Sequence, residues 1–224
     1  MFGLGKNYIV KTDQVLIYAT KNGYKPACLI RSRHPKINYK NCDVVSFQQI
    51  NGDGKVVYHD YLLNRKKVSN IIKNNKAVFT TRLGINPESS IENIYKIIEE
   101  KLKTSFQILD LEGMILGFPK QNSMIYNLEK FAGLRAAQRK NPKKFKAKLL
   151  EALRKEDSPY ANLSTVEKEE LENSIKRIGK VKEFNNSLYD FIEYVYEPTE
   201  MNRIRQTTAE YKKESKLWSR YAQN

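Results

Sequence analysis

Short runs of β-branched and apolar residues, separated by polar or glycine-containing breaks, fill the first part of the chain. They occupy residues 8–10, 15–19, 27–30, 44–50 and 55–58. Runs of this length, bounded by turn residues, are typical of strands. Asn22-Gly23 is a turn signal, and the glycines at 52 and 54 favour a hairpin between the last two runs. We therefore predict a small, mostly antiparallel sheet, with a further hairpin joining residues 8–10 to 15–19.

The stretch between this sheet and residue 84 combines two patterns. Residues 61–74 predict a helix with Asp60 as its N-cap, because an aspartate side chain accepts hydrogen bonds from the first N–H groups of a helix. Residues 77–83 are rich in apolar and β-branched residues and favour another strand. Gly84 is then expected to end the β-rich part of the chain.

From residue 85 onward, apolar residues recur every three or four positions, which is the spacing of amphipathic helices. The predicted helices begin at Asn86-Pro87, at Asn141-Pro142 and at the Ser164–Glu167 capping box, and two more run from about Asn122 to Arg139 and from about Glu200 to Tyr221. The expected buried faces are Ile91, Ile94, Ile98 and Leu102 in the first helix, Phe145, Leu149 and Leu153 in the third, and Leu171, Ile175 and Ile178 in the fourth.

These patterns predict an α+β fold, with an N-terminal, mostly antiparallel β-sheet followed by a helical C-terminal half. The strands are consecutive rather than alternating with helices, which argues against a doubly wound parallel sheet. Residues 1–84 form the β-rich part and residues 85–224 the helical part, either as two units or as one continuous domain. The first residues lack the apolar region of a signal peptide, and no run approaches the roughly 20 residues that cross a bilayer. We expect no transmembrane segment and a cytoplasmic location, with signal-independent export left open.

The chain is strongly basic, with a formal net charge of +15. A charge of this size points to a polyanionic partner such as nucleic acid. However, lysine far outnumbers arginine, and the chain is rich in asparagine, isoleucine and tyrosine, a bias that an AT-rich coding sequence produces for any function. The distribution of charge is therefore more informative than its total.

Positive and negative residues are segregated along the chain. The first 83 residues contain no glutamate and four aspartates against fifteen lysines and arginines. Residues 133–156 contain nine cations against only Glu151 and Glu156, whereas residues 164–198 are acidic overall. Two interpretations fit: the surface has distinct charged faces, or acidic and basic helices pair within the fold.

The most specific candidate is the basic helix after Pro142. Burial of Phe145, Leu149 and Leu153 would turn Lys144 and Lys148 toward solvent, where they could follow a phosphate backbone. A C-terminal helix would add aromatic residues, which stack on unpaired bases, among further cations. The competing interpretation is an ordinary solvated helix face. The predicted nucleic-acid contacts are Arg135, Arg139, Lys143, Lys144, Lys148, Arg203, Arg205, Lys212 and Trp218.

Catalytic candidates are few. The cysteines, Cys28 and Cys42, and the two histidines contain no C-x₂-C or H-x₃-H pair, so we expect no metal site and no cofactor. A thiol-dependent hydrolase would use Cys28 with His59, although a buried Cys28 is the simpler expectation. The acidic residues Asp110 and Glu112 are expected to lie on a solvated helix face.

The leading hypothesis from the sequence is a nucleic-acid-binding or nucleic-acid-associated protein that acts through segregated basic surfaces. A protein–protein interaction or effector-type protein that binds an acidic partner or a membrane surface is the first alternative. An enzyme of unknown class, with the thiol hydrolase as its least unlikely form, is the second.

Overall fold

The computed structural model describes residues 16–30, 41–50, 54, 56–103, 108–179, 182–183 and 194–195. The strands are β1 (Ala27–Ile30), β2 (Cys42–Ile50), β3 (Val56–Asn64), β4 (Lys182–Glu183) and β5 (Tyr194–Val195). The helices are α1 (residues 16–21), α2 (Arg65–Asn74), α3 (Lys76–Leu83), α4 (Ile91–Lys103), α5 (Leu109–Ile115), α6 (Lys120–Phe131), α7 (Pro142–Arg154) and α8 (Thr165–Arg177), with a 3₁₀ segment at Ala136–Lys140. The α+β prediction is confirmed: a three-stranded antiparallel sheet comes first, and helices dominate afterwards.

The sheet has the strand order β1-β3-β2, so β3 is central. The predicted hairpin is confirmed, with Ile50 opposite Val56 and Gly54 in the left-handed region at φ 73°. One sheet face buries residues such as Tyr61 and Leu63 in the main core. The opposite face buries Cys28, Ile30 and Leu62 beneath Leu16 of α1. The main core, on the Tyr61 side of the sheet, contains residues from the sheet as well as from helices α2 to α8.

The strand predicted at residues 15–19 is wrong, because the described residues 16–21 are helical. Leu16, Ala19 and Thr20 are buried, and this three- and four-residue spacing places them on one helix face. The run of apolar residues that resembled a strand thus covers the outer sheet face as a helix. Residues 8–10, the proposed hairpin partner, lie outside the described part of the chain.

The boundary between β3 and α2 also differs from the prediction. Asp60 does not cap a helix but accepts a hydrogen bond from Ser46 Oγ at 2.6 Å within the sheet. Strand β3 continues to Asn64, whose side-chain oxygen accepts from the Lys67 N–H at 3.1 Å and caps α2. The strand extends because its last apolar residues are buried on both faces of the sheet. Tyr61 and Leu63 are buried on one face and Leu62 on the other.

The strand predicted at residues 77–83 is likewise wrong, since α3 covers them. Val78 and Phe79 are buried against the helical core rather than beside another strand. Gly84 ends α3 at φ 66°: its own N–H donates to Thr81 O at 3.2 Å, and the Ile85 N–H donates to Thr80 O at 3.0 Å. This Schellman arrangement shows that Gly84 caps the C-terminus of a helix and does not end a strand.

The remaining helical predictions are largely confirmed, but the helix expected to start at Asn86-Pro87 begins only at Ile91. The expected faces of α4, α7 and α8 are buried, with Ile91 only partly covered. Ser164 caps α8 by accepting from the Glu167 N–H at 3.3 Å. The helix predicted from residue 122 to 139 is too long, because α6 ends at Phe131 and a separate 3₁₀ segment follows. The helix predicted from residue 200 to 221 lies outside the described residues.

Candidate nucleic-acid interface

A buried ion pair fixes the turn between α6 and α7. Arg139, in the 3₁₀ segment, donates from Nε to Glu129 Oε2 of α6 at 3.1 Å, and a second guanidinium N–H binds the other oxygen. Glu129 is 0% exposed and Arg139 is 7% exposed. A bidentate guanidinium–carboxylate pair holds both planes in one orientation. The pair therefore ties the 3₁₀ segment back onto the end of α6.

This geometry corrects the role predicted for Arg139. Its side chain was expected to contact nucleic acid from the surface of a continuous helix, but it is enclosed and bound to Glu129. The helix breaks because Gly133 adopts φ 61°, with the Leu134 N–H donating to Glu129 O at 3.1 Å. The turn directs the side chain of Arg139 inward, where a buried guanidinium needs a carboxylate partner.

Six cations around this turn remain at the surface. All are exposed, and none forms an ion pair with a carboxylate in the described part of the chain. We call this set the cationic corner, and its members are Lys130, Arg135, Lys140, Lys143, Lys144 and Lys148.

The start of α7 explains why three of these lysines project outward. Asn141 caps the helix by accepting from the Lys144 N–H at 3.2 Å, and Pro142 occupies the first helical position. Burial of Phe145 and Leu149 on the inner side leaves Lys143, Lys144 and Lys148 exposed. The first turn contains no acidic residue, so two of these cations stand at the positive end of the helix dipole. This placement is unfavourable for the isolated helix and favourable once an anion is present.

Several other cations in the helical half are paired with carboxylates. Arg154 of α7 binds Glu172 of α8, and Lys120 of α6 lies 3.7 Å from Glu167 of α8. The pairing of acidic and basic helices that the charge pattern allowed is thus present for these residues. The members of the cationic corner form no such pair among the described residues.

The described cations of helix α2 belong to the basic N-terminal third and lie apart from α7 in the packing. Arg65, at the start of α2, binds Asp43 through two contacts of 2.9 Å, whereas Lys66 and Lys67 in the same turn are exposed. Helix α2 packs mainly on α4, while α7 packs on α6, α8 and the 3₁₀ segment. The basic helices α2 and α7 therefore pack against different sets of helices.

The Cys28–His59 pair predicted for a thiol enzyme is contradicted. Cys28 is 0% exposed and lies opposite Leu62, on the sheet face that α1 covers. His59 stands three residues before Leu62, so its side chain points to the other face, where its ring stacks on Phe47 with centroids 5.1 Å apart. The thiol and the imidazole are thus on opposite faces of the sheet. Burial, followed by the charge of Asp43, raises the pKa of the half-buried Cys42, which disfavours its nucleophilic thiolate.

The prediction that the carboxylates of α5 are solvated is wrong. Asp110 and Glu112, expected to be solvated, are both buried. Asp110 accepts from Arg82 Nε at 2.7 Å and from the Tyr160 hydroxyl at 2.9 Å. Glu112 accepts from the Tyr61 hydroxyl at 2.7 Å, and burial raises the pKa of Glu112 to about 7. These bonds join the sheet and α3 to α5 in the interior, so we assign the carboxylates to the core rather than to a binding site.

The signal for that burial is faint but present. Asp110 and Glu112 alternate with Leu109, Leu111 and Met114 inside an otherwise apolar stretch. A solvated helix face would place its acidic residues beside other polar residues. Carboxylates within an apolar stretch require internal donors, but those donors come from distant parts of the chain and cannot be identified by spacing.

The predicted contacts Arg203, Arg205, Lys212 and Trp218 lie outside the described residues. Over the residues that the structure describes, no three His, Cys, Asp or Glu side chains cluster as metal ligands. No described helix combines the length and apolarity needed to span a membrane.

Comparisons with protein-family models, with curated proteins and with solved structures give no match for this chain.

Proposed function

We propose that this protein binds nucleic acid through the cationic corner. One observation carries the proposal: six exposed cations around a single turn have no carboxylate partner among the described residues, whereas Arg139 and Arg154 are each paired with a glutamate. Unpaired lysines and arginines on one surface can neutralise several phosphates at once, and the release of condensed counterions drives such binding.

The character of the corner favours contacts to the backbone rather than to specific bases. Five of its six members are lysines, which act as point charges, and only Arg135 carries a guanidinium suited to bidentate recognition. Phosphate contacts fix the position of the nucleic acid but carry no sequence information. The proposed activity is therefore sequence-tolerant binding, in which Arg139 has a positioning role through Glu129.

The proposal is tested by measuring the affinity for a fluorescent oligonucleotide by fluorescence anisotropy across a range of salt concentrations. In the triple variant K143Q/K144Q/K148Q, three phosphate contacts are lost, so the slope of log affinity against log salt should fall by about 2–3. The matched control is K96Q/K101Q/K103Q, which removes the same charge from exposed positions of α4. Equal slopes for the two variants would overturn the proposal.

A polyglutamate competitor separates the proposal from the acidic-partner alternative. A nucleic-acid-binding surface should be displaced by unlabelled duplex oligonucleotide at far lower charge concentration than by polyglutamate, because a duplex carries a charge about every 1.7 Å whereas an extended polyglutamate chain carries one about every 3.5 Å. Equal competition by the two polymers would instead favour an acidic protein as the partner.

A further inference from the structure

An exposed aromatic side chain stands at the edge of the cationic corner. Phe131, the last residue of α6, is 38% exposed, while Leu128 and Leu134 on either side of it in sequence are buried. Lys130 precedes it directly, and Arg135 follows four residues later. The exposure of Phe131 cannot be predicted from the sequence, because its position at the end of a helix depends on where α6 ends.

The turn that follows α6 leaves Phe131 outside the core. Gly133 is in the left-handed region at φ 61°, and its N–H donates to Lys130 O at 3.1 Å. The chain therefore reverses within two residues, and Leu134 returns to the core. The Glu129–Arg139 pair then holds the 3₁₀ segment beside the same end of α6. In sequence, Phe131 thus lies between Lys130 at the end of α6 and Arg135 after the turn.

A second aromatic ring lies on the same helix. The ammonium of Lys130 stands 5.1 Å from the centroid of the Tyr126 ring, a cation–π arrangement. Tyr126 is half-buried, so this pair orients Lys130 along the surface of α6. An aromatic face with a positioned cation beside it matches a base with its adjoining phosphate.

From this arrangement we infer that the cationic corner binds single-stranded rather than duplex nucleic acid, with a base stacked on Phe131. The inference rests on the proposed function. A base inside a duplex has both of its faces covered by neighbouring base pairs, so only an unpaired base offers a free face to an aromatic side chain. Phosphates on either side of that base would then meet Lys130 and Arg135.

The test compares a fluorescent single-stranded oligonucleotide with the same strand in a duplex, using wild type, Phe131→Leu and Phe131→Trp. Wild type should prefer the single strand. Phe131→Leu should weaken single-strand binding roughly tenfold and leave duplex binding unchanged, while Phe131→Trp should retain or strengthen it. A 2-aminopurine base in the single strand should be quenched by wild type and by Phe131→Trp but not by Phe131→Leu.

Tyr58→Leu is the matched control, because Tyr58 is 40% exposed on the sheet, away from the cationic corner. Circular dichroism melting should show that both leucine variants fold as wild type does. Unchanged single-strand affinity in Phe131→Leu, together with salt dependence that still requires the α7 lysines, overturns this inference alone. Failure of wild type to bind either form overturns the proposed function as well.

Discussion

Arg139 Nε lies 3.1 Å from Glu129 Oε2 in an ion pair closed off from solvent, and this contact sets the course of the chain between α6 and α7. The surrounding cations project outward, whereas the one arginine in the 3₁₀ segment projects inward. The surface that we propose for nucleic acid thus depends on the buried guanidinium of Arg139, which is not itself part of that surface.

Removal of Arg139 should destabilise the fold severely. Arg139→Leu leaves the Glu129 carboxylate buried without its guanidinium, a defect that costs about 3–5 kcal/mol of unfolding free energy. Urea unfolding followed by circular dichroism measures this cost. Arg135→Leu, at an exposed position of the same turn, should leave the unfolding midpoint unchanged.

The double variant E129L/R139L adds a control for charge burial. It should recover part of the stability lost in Arg139→Leu, because the buried carboxylate is removed together with the guanidinium. A stability of Arg139→Leu equal to that of wild type would contradict the buried geometry.

Glu112 should make stability fall as pH rises from about 4.5 to 7. Burial raises the pKa of folded Glu112 to about 7, so the folded state binds a proton that the unfolded state has already released in this window. Ionisation above pH 7 then costs the folded protein about 3 kcal/mol, by the equivalence of one pKa unit to about 1.4 kcal/mol. Glu112→Gln keeps an acceptor for the Tyr61 hydroxyl and removes the titration.

The measurement is the difference in unfolding free energy between Glu112→Gln and wild type at pH 5 and pH 8. We expect the variant to gain stability relative to wild type on going to pH 8. A difference that does not change with pH would show that Glu112 titrates near its ordinary pKa.

Tyr160→Phe should destabilise the protein without affecting the surface. The Tyr160 hydroxyl donates to Asp110 and accepts from Asn127 Nδ2 at 3.1 Å, so its loss leaves buried polar groups with fewer partners. We expect a loss of about 1–3 kcal/mol in urea unfolding. Nucleic-acid affinity at a temperature where the variant is folded should equal that of wild type. A loss of affinity in the folded variant would assign the buried network a role in binding.

Cys28 should be inert to thiol reagents in the folded protein. Its side chain is fully enclosed between the sheet and α1, whereas Cys42 is half-buried. Alkylation under native conditions, mapped by mass spectrometry, should modify Cys42 slowly and Cys28 only after denaturation. Rapid native labelling of Cys28 would contradict its placement and revive a thiol mechanism.

In the helical half, the buried face of a helix was predictable wherever apolar residues recur at helical spacing within that helix. The faces of α4, α7 and α8 follow from apolar spacing, and Asn141-Pro142 and Ser164 mark two helix starts correctly. The errors arose where tertiary packing overrode local preference. Residues 77–83 have a strand-like composition, but they form a helix because the neighbouring space is filled by other helices.

The candidate site was predictable only in part. Lys143, Lys144 and Lys148 are exposed as their helical spacing required. The inward course of Arg139 depends on the left-handed cap at Gly133 and on Glu129, ten residues away in sequence. The separation of Cys28 from His59 depends on the strand register. Neither of these features is visible in the spacing of residues along one element.

Lysine footprinting tests the central claim most directly. The protein is acetylated briefly with and without a saturating oligonucleotide, and the modification of each lysine is measured by mass spectrometry. The proposed interface requires that Lys140, Lys143, Lys144 and Lys148 become protected, while Lys96 and Lys101 of α4 react equally in both samples. Protection of the α4 lysines with continued reaction of the α7 lysines would contradict it.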